Sequence, residues 1–408
     1  MARFLDRVFF MYLPNDVTFI ISTLESAGYE AFAVGGCVRD MLRGVIPKDW
    51  DIATSATPQQ AKALFSRTVD TGIKHGTIMV LLNKAHYEVT TYRIDGTYLD
   101  NRRPETVTFS GDIEEDLSRR DFTMNAIAYN PRSGFVDPFH GQSDIQKEII
   151  RCVGNAQHRF AEDALRMLRA IRFAAATGFA VDEDIMSAIS KLKQNLEHIS
   201  PERIREELGK LLCAPYPHAL ELLESTGILP IILQNRAYGG NITEVVSHLK
   251  NCPINESMRL ALFLSGTDCE NILRDLRFDN KTINAVTQYV QLLPAPLPTN
   301  RYAIKKLLRI LSQESFENLL QLKAVVTPSQ ANALESIRQE ANDIRDKGEC
   351  FTLKTLAING NDLSQMGIPP GKVMGDILEG LLDAVMRDAA LRSKAQQIAW
   401  VQETFIKD

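Results

Sequence analysis

The sequence predicts an α+β protein: a mixed-sheet head with helices, followed by an all-helical remainder. Three observations carry that reading. Runs rich in β-branched and aromatic residues, with glycine turns between them, fall within residues 1–140. From about residue 145 onward, apolar side chains recur at helical spacing almost throughout. No internal repeat or low-complexity tract interrupts the change, and a chain of 408 residues has room for roughly two to four domains.

Each element has a local reason. Residues 1–10 read as a loose leader. Pro14-Asn15-Asp16 then reads as a helix cap, Ile20, Ile21 and Leu24 as its apolar stripe, and Gly28 as its stop. Residues 32–34 are a short apolar strand, Gly35-Gly36 a turn, and residues 38–42 a helix. Residues 48–52 read as a second strand, and Thr57-Pro58 opens a helix over residues 59–65. The β-rich runs 77–82 and 87–92 flank Asn83-Lys84, which predicts a hairpin. In the helical part, residues 292–300 are the clearest linker and residues 346–350 a weaker break.

Composition bounds the function. A formal charge of −5 argues against a generally basic nucleic-acid coat, so any RNA contact must come from local basic surface. The six cysteines lie far apart with no C-x-x-C pair, which suggests neither a zinc site nor a disulfide framework and fits a reducing compartment. The apolar run 8–13 is too short for a signal segment, and no run of 18 apolar residues follows. A cytoplasmic protein without membrane contact is expected.

The richest stretch is residues 32–57. A helix starting just after two glycines offers free backbone N–H groups and a partial positive charge, which suits a phosphate. Arg39 adds a full charge one turn in. On a strand at 48–52, Asp49 and Asp51 would share one face. Two carboxylates about 7 Å apart are costly to pack but suit Mg²⁺, which is held by one or two carboxylates plus substrate phosphates. An Asp-x-Asp on an edge strand is usually just solvated; the glycine turn shortly before it gives the pair weight. Glu88, on the run 87–92, is the best candidate for a third carboxylate, or an ordinary exposed strand residue. Arg119-Arg120-Asp121 before an apolar run reads in isolation as a capped helix start. On one helix, Glu162, Arg166 and Arg169 would lie within about 60° of one another. A Glu-to-Arg pair at that spacing is also an ordinary helix stabiliser worth about 0.2–0.5 kcal/mol.

Taken together, these strings resemble the class II tRNA nucleotidyltransferases and the related bacterial poly(A) polymerases. GGCVRD followed by KDWDIATSATP carries the likeness first. RRDFTMNAIAY is similar to the family's second motif, Glu162-Asp163 with Arg166 to its EDxxR motif, and residues 200–212 to its last motif. The likeness is tight over roughly residues 30–215 and looser beyond.

The resemblance implies a nucleotidyltransferase-type head over residues 1–140, a helical neck with a nucleotide-reading helix over 141–215, a helical body over 216–340 and a helical tRNA-binding tail over 341–408. It implies Asp49 and Asp51 as catalytic residues holding Mg²⁺, and Glu88 stands beside them as the candidate third catalytic carboxylate from its strand pattern. It places Gly36, Arg39 and Arg120 against the nucleotide, and Asp163, Arg166, Arg169 and Arg172 as residues that read or anchor it. The base chemistry agrees: cytosine and adenine each present an amino donor beside a ring-nitrogen acceptor, matching a carboxylate and a guanidinium. Guanine and uracil reverse that polarity and leave charged groups unpaired. The implied reaction is untemplated addition of C, C and A from CTP and ATP to the 3′ end of tRNA, releasing pyrophosphate, with the acceptor arm held by the helical part.

Arg102-Arg103-Pro104 resembles a loop signature of members that add the final A, and residues 71–77 resemble the CCA-adding type. The rival readings are an A-adding enzyme or poly(A) polymerase of the same family, and a non-catalytic RNA-binding protein on the same fold. A dinucleotide-binding protein is poorly supported, since there is no G-x-G-x-x-G. Oligomeric state is not legible.

Overall fold

Helix α1 (Asn15–Ser26) buries Val17, Ile20, Ile21 and Leu24 along one face. It starts at the Pro14-Asn15-Asp16 segment, as the sequence suggested, but no side chain caps it. The N-cap position is Pro14, and the Asp16 carboxylate accepts hydrogen bonds from Asn83 Nδ2 at 2.8 Å and Tyr87 Oη at 3.0 Å. The residue thus ties α1 to a hairpin rather than closing the helix end. The computed structural model describes residues 12–96, 107–388 and 390–405. The leader at 1–10 and the Arg102-Arg103-Pro104 signature lie outside the described residues.

Strand β1 (Ala31–Val34) is buried along its whole length and runs through Gly35 into α2 (Gly36–Leu42). Then come β2 (Asp51–Thr54), α3 (Pro58–Leu64) with a Thr57–Gln60 capping box, β3 (Thr68–Gly72), β4 (Thr77–Leu82) and β5 (Ala85–Thr91). Asn83 and Lys84 both take positive φ, 48° and 67°, the two-residue turn whose twist matches its flanking strands. Strands β6 (Arg93–Asp95) and β7 (Val107–Phe109) form a separate ribbon, followed by α4 (Ile113–Ser118), β8 (Ala128–Asn130) and β9 (Gly134–Val136). The main sheet has seven strands in the order β3-β4-β5-β2-β1-β8-β9. Only β2 and β5 run parallel, so the sheet is mixed.

Two expectations are corrected here. The second strand starts at Asp51, not at 48, and Asp49 sits in a bend before it. The reason lies in the neighbour: Asp51 pairs with Val34, the last residue of β1, and β1 then turns away at Gly35. The apolar run after Asp121 is not a helix. It is one 3-10 turn, Thr123–Asn125, leading into β8. Phe122, Met124, Ala126, Ile127 and Ala128 are all fully buried, so the run has no solvent face for a helix to present.

Helices α5 (Gly141–Gln146), α6 (Ala156–Glu162), α7 (Leu165–Thr177), α8 (Glu183–Leu192) and α9 (Pro201–Leu212) follow. A two-strand parallel pair, β10 (Ile149–Ile150) with β11 (Ala180–Val181), interrupts them and was not visible in the helical periodicity. The chain divides into two compact units, one of Met1–Lys250 with Glu270–Asp279 and one of Asn251–Cys269 with Asn280–Asp408. The second unit is helical, and its C-terminal cluster packs Ile358, Leu363, Ile377, Leu381 and Val401. Among the described residues, no helix is long and apolar enough to cross a membrane.

Candidate active site

One cavity of about 790 Å³ collects nearly every residue the sequence singled out. Gly36, Arg39, Asp49, Asp51, Arg120, Asp163, Arg166, Arg169 and Arg172 line it. Glu88 does not line it but lies beside Asp51, its register partner across the parallel β2–β5 ladder. Partners in register share a face of the sheet.

The glycine turn builds the floor. Gly35 takes φ +75°, and a Cβ there would sit 2.7 Å from Arg120 Nη1. Only glycine lets the guanidinium lie over the start of α2. The turn thereby sets Arg120 above backbone N–H groups that carry the positive end of a helix. Arg39 is fixed by Asn125, whose Oδ1 accepts from Arg39 Nη1 at 2.7 Å, and by Asp40. Arg120 and Arg119 are both held by Asp116, at 3.1 and 2.7 Å. Burial works against the Asp116 charge, but the two guanidiniums outweigh it and keep the carboxyl below its ordinary range. Arg120 Nε is buried with no hydrogen-bond partner among the described residues.

The carboxylates carry the opposite character. Asp51 opens onto the cavity, yet the surrounding protein displaces water and raises its carboxyl. The charges of Glu88 and Asp49 push the same way, against the pull of Arg120. A crowded set of carboxylates with a raised member suits a divalent cation, whose charge would relieve the crowding. Among the described residues, no group of three or more His, Cys, Asp or Glu side chains forms a ready-made metal cage. Nearby Cys37 is no nucleophile: burial pushes its thiol up to about 11, and it donates to the Val34 carbonyl.

The far wall comes from α7 and α9. The EDxxR segment is not one continuous helix, as its spacing suggested. Asp163, with φ −140° and ψ 103°, is extended and separates α6 from α7. Its Oδ1 accepts from the Leu165 N–H at 3.1 Å, so the carboxylate stabilises the new helix start and could not do so inside a helix. Arg203 on α9 grips the same carboxylate through both terminal nitrogens, at 3.2 and 2.7 Å. Arg166, nearly buried, donates to Glu162 Oε2 at 2.9 Å and to the Arg119 carbonyl at 2.8 Å.

Arg169 reaches Asp121 through Nε and Nη2, and Arg172 pairs with Glu207 at 2.5 Å. Burial alone would raise the Asp121 carboxyl, but Arg169, the Asn125 hydrogen bond and Arg166 hold it far below the usual carboxylate range. Burial weakens the charge of Arg172, and Arg169 adds to that, while Glu207 opposes it. The guanidiniums of Arg172, Arg39 and Arg169 lie 3.7, 5.2 and 5.3 Å from the centroid of the Phe173 ring.

Sequence reasoning missed Asn125 and Phe173 as parts of the site, and it placed Arg203 and Glu207 only within the motif at 200–212, without a role of their own. For Glu207 a signal existed: it falls on the buried stripe of α9 with Ile204, Leu208 and Leu211, where a carboxylate needs a partner. The other three are brought in by tertiary contacts alone.

A family model described as the poly A polymerase head domain matches residues 31–151. The RNA- and SrmB-binding region of polymerase A matches 178–237, and tRNA nucleotidyltransferase domain 2 matches 257–400. A CCA-adding enzyme of Geobacillus kaustophilus is 40% identical over 402 residues, covering 94% of this chain and 95% of the relative. The chain belongs to the CCA-adding enzyme family. Another member, from Ligilactobacillus salivarius, is 38% identical over 375 residues, 89% of either chain. The structure of the Bacillus stearothermophilus CCA-adding enzyme in complex with CTP superposes with a TM-score of 0.80 at 33% identity, covering 95% of this chain and 96% of that one. Nucleotidyltransferases of this family use a divalent metal.

Proposed function

We infer that this protein adds C, C and A from CTP and ATP to the 3′ end of tRNA without a nucleic-acid template, releasing pyrophosphate. One observation carries the reading: a single cavity joins the Asp49/Asp51 pair to a carboxylate and a guanidinium, Asp163 and Arg166, that are fixed in place by other protein groups. The names of relatives that match nearly the whole chain support it.

Asp49 and Asp51, with Glu88 beside them, are the residues that would hold Mg²⁺. A pair of such ions would make the attacking 3′-hydroxyl more nucleophilic and neutralise the triphosphate. Gly36, Arg39 and Arg120 bind the phosphates, the first through backbone N–H, the others through charge. Asp163 supplies base selection. The Arg203 fork and the Leu165 N–H use three of its roughly four acceptor sites. The remaining site, on Oδ2, accepts from the exocyclic amino group of cytosine or adenine. Arg166 donates to the adjacent ring nitrogen. Arg169 and Arg172, stacked about Phe173, anchor the nucleotide. Division into a catalytic head at 1–140, a neck at 141–215, a body at 216–340 and a tRNA-gripping tail at 341–408 belongs to the same reading, as does a cytoplasmic location.

The test is incubation with Mg²⁺ and tRNA transcripts that lack CCA or end in CC, with single and mixed nucleotides, products being read at nucleotide resolution. Addition of C, C and A followed by a stop is expected. A long A ladder would mean a poly(A) polymerase, A added only to CC ends would mean an A-adding enzyme, and no incorporation would mean a binding protein.

A further inference from the structure

The catalytic cavity has an apolar lip that nothing in the nucleotide-binding scheme uses. Val45 and Ile46, in the loop between α2 and β2, line the cavity and are 47% and 89% exposed. Lys48 lines it as well, and no ion pair engages it among the described residues. A large aliphatic side chain held almost wholly in water gains nothing for folding, so this lip is the place where a ligand would supply the missing burial.

We propose that Val45 and Ile46 form the platform for the last base of the RNA acceptor, with Lys48 taking the adjoining backbone phosphate. The proposal rests on the CCA-adding reading. Three arguments lead to it. First, the cationic wall of α7 and α9 and the glycine turn are already committed to the incoming nucleotide, whereas the acceptor must bring its 3′ oxygen to Asp49 and Asp51. Ile46 is three residues from Asp49, a separation of at most about 11 Å along the chain, close enough to touch the nucleotide that bears that oxygen.

Second, the chemistry suits a changing ligand. The acceptor ends in the tRNA's own last base before the first addition and in C before the second and third. A subsite reading the hydrogen-bond edges of C would serve the later steps and reject other last bases at the first. An apolar surface accepts every base, because every base has a ring face. Third, the charge is right: one cation beside an apolar surface matches one phosphate beside one base.

The experiment measures acceptor KM and kcat for tRNA minihelices ending before CCA, after C and after CC. The wild type is compared with I46D, I46L and V45A, and CTP affinity is measured separately without RNA. I46D is expected to raise the acceptor KM about tenfold at all three steps with CTP affinity unchanged, V45A to raise it less, and I46L to behave as wild type. The I46D effect should vanish on an acceptor whose last nucleotide lacks its base, because the contact it removes is then already gone. Equal acceptor KM for wild type and I46D on normal ends would overturn the proposal. So would a penalty that persists on the abasic end. Failure of the wild type itself to extend any RNA would instead contradict the CCA-adding reading.

Discussion

Two clusters of charge in this protein use the same kinds of side chain to opposite ends. In the second unit, Arg301 on helix Arg301–Ile310 meets Glu340, Asp343 at 2.8 Å and Glu349 at 2.7 Å, and Lys305 also pairs with Glu349 at 2.8 Å. Each cation there is matched by carboxylates, and the hydrogen bonds from Arg301 are the main cause that lowers the Glu349 carboxyl to about 2. Among the described residues, the cavity of the first unit is lined by nine Lys or Arg side chains against five carboxylates, in a chain whose net charge is −5. Three of its guanidiniums crowd one ring. Satisfied charge holds helices together, while excess charge gathered on a concave surface waits for an anion.

The contrast is broken most severely by removing the carboxylates from the cleft. Asp49→Asn or Asp51→Asn should cost about a thousandfold in turnover, the equivalent of about 4 kcal/mol, measured as single-nucleotide addition to a CC-ending tRNA. Next in size is base selection. Arg203→Ala frees Asp163 from its fork and should erode discrimination of CTP over UTP by about tenfold to a hundredfold, with Arg203→Lys restoring part of it. A loss of RNA binding with discrimination intact would show that Arg203 serves another purpose.

Stability gives smaller effects of opposite sign in the same cleft. Asp121 is held below its unfolded value, so its pairing stabilises the protein above about pH 3.9 and that stability is lost as pH falls towards the folded value. Arg169→Ala should therefore destabilise by about 3 kcal/mol in urea unfolding at pH 7, and by less at pH 3. Asp51 is raised instead. Its ionisation costs nothing below the unfolded value, and the cost grows through the window up to the raised folded value and persists above it. In metal-free buffer at pH 7, Asp51→Asn should then raise Tm although the same variant loses turnover with Mg²⁺ present, and Mg²⁺ should raise Tm of the wild type more than of the variant. Arg301→Ala, in the saturated cluster, should leave CTP affinity unchanged and lower stability, because it strips Glu349 of its main partner.

How much of this the sequence disclosed depends on the range of the interaction. Local signals worked: Gly35-Gly36, the Asn83-Lys84 turn and the switch to helical spacing all correspond to observed structure. Asp49 and Asp51 meet at the cavity although only Asp51 is on a strand, because identifying the carboxylates needed their proximity, not their pleat. The break at Asp163 was hidden, since Glu162, Arg166 and Arg169 also fit a continuous helix. Arg203 and Asn125 lie 40 and 86 residues from the groups they hold, and no periodicity spans such distances.

The most direct test of the central claim, that fixed side chains replace a template, is single-turnover incorporation of each of the four nucleotides by the wild type and by Asp163→Ala. The account predicts that the wild type uses CTP and ATP and rejects GTP and UTP, while the variant adds all four slowly and at similar rates. A variant that kept the wild-type preference at reduced speed would contradict it.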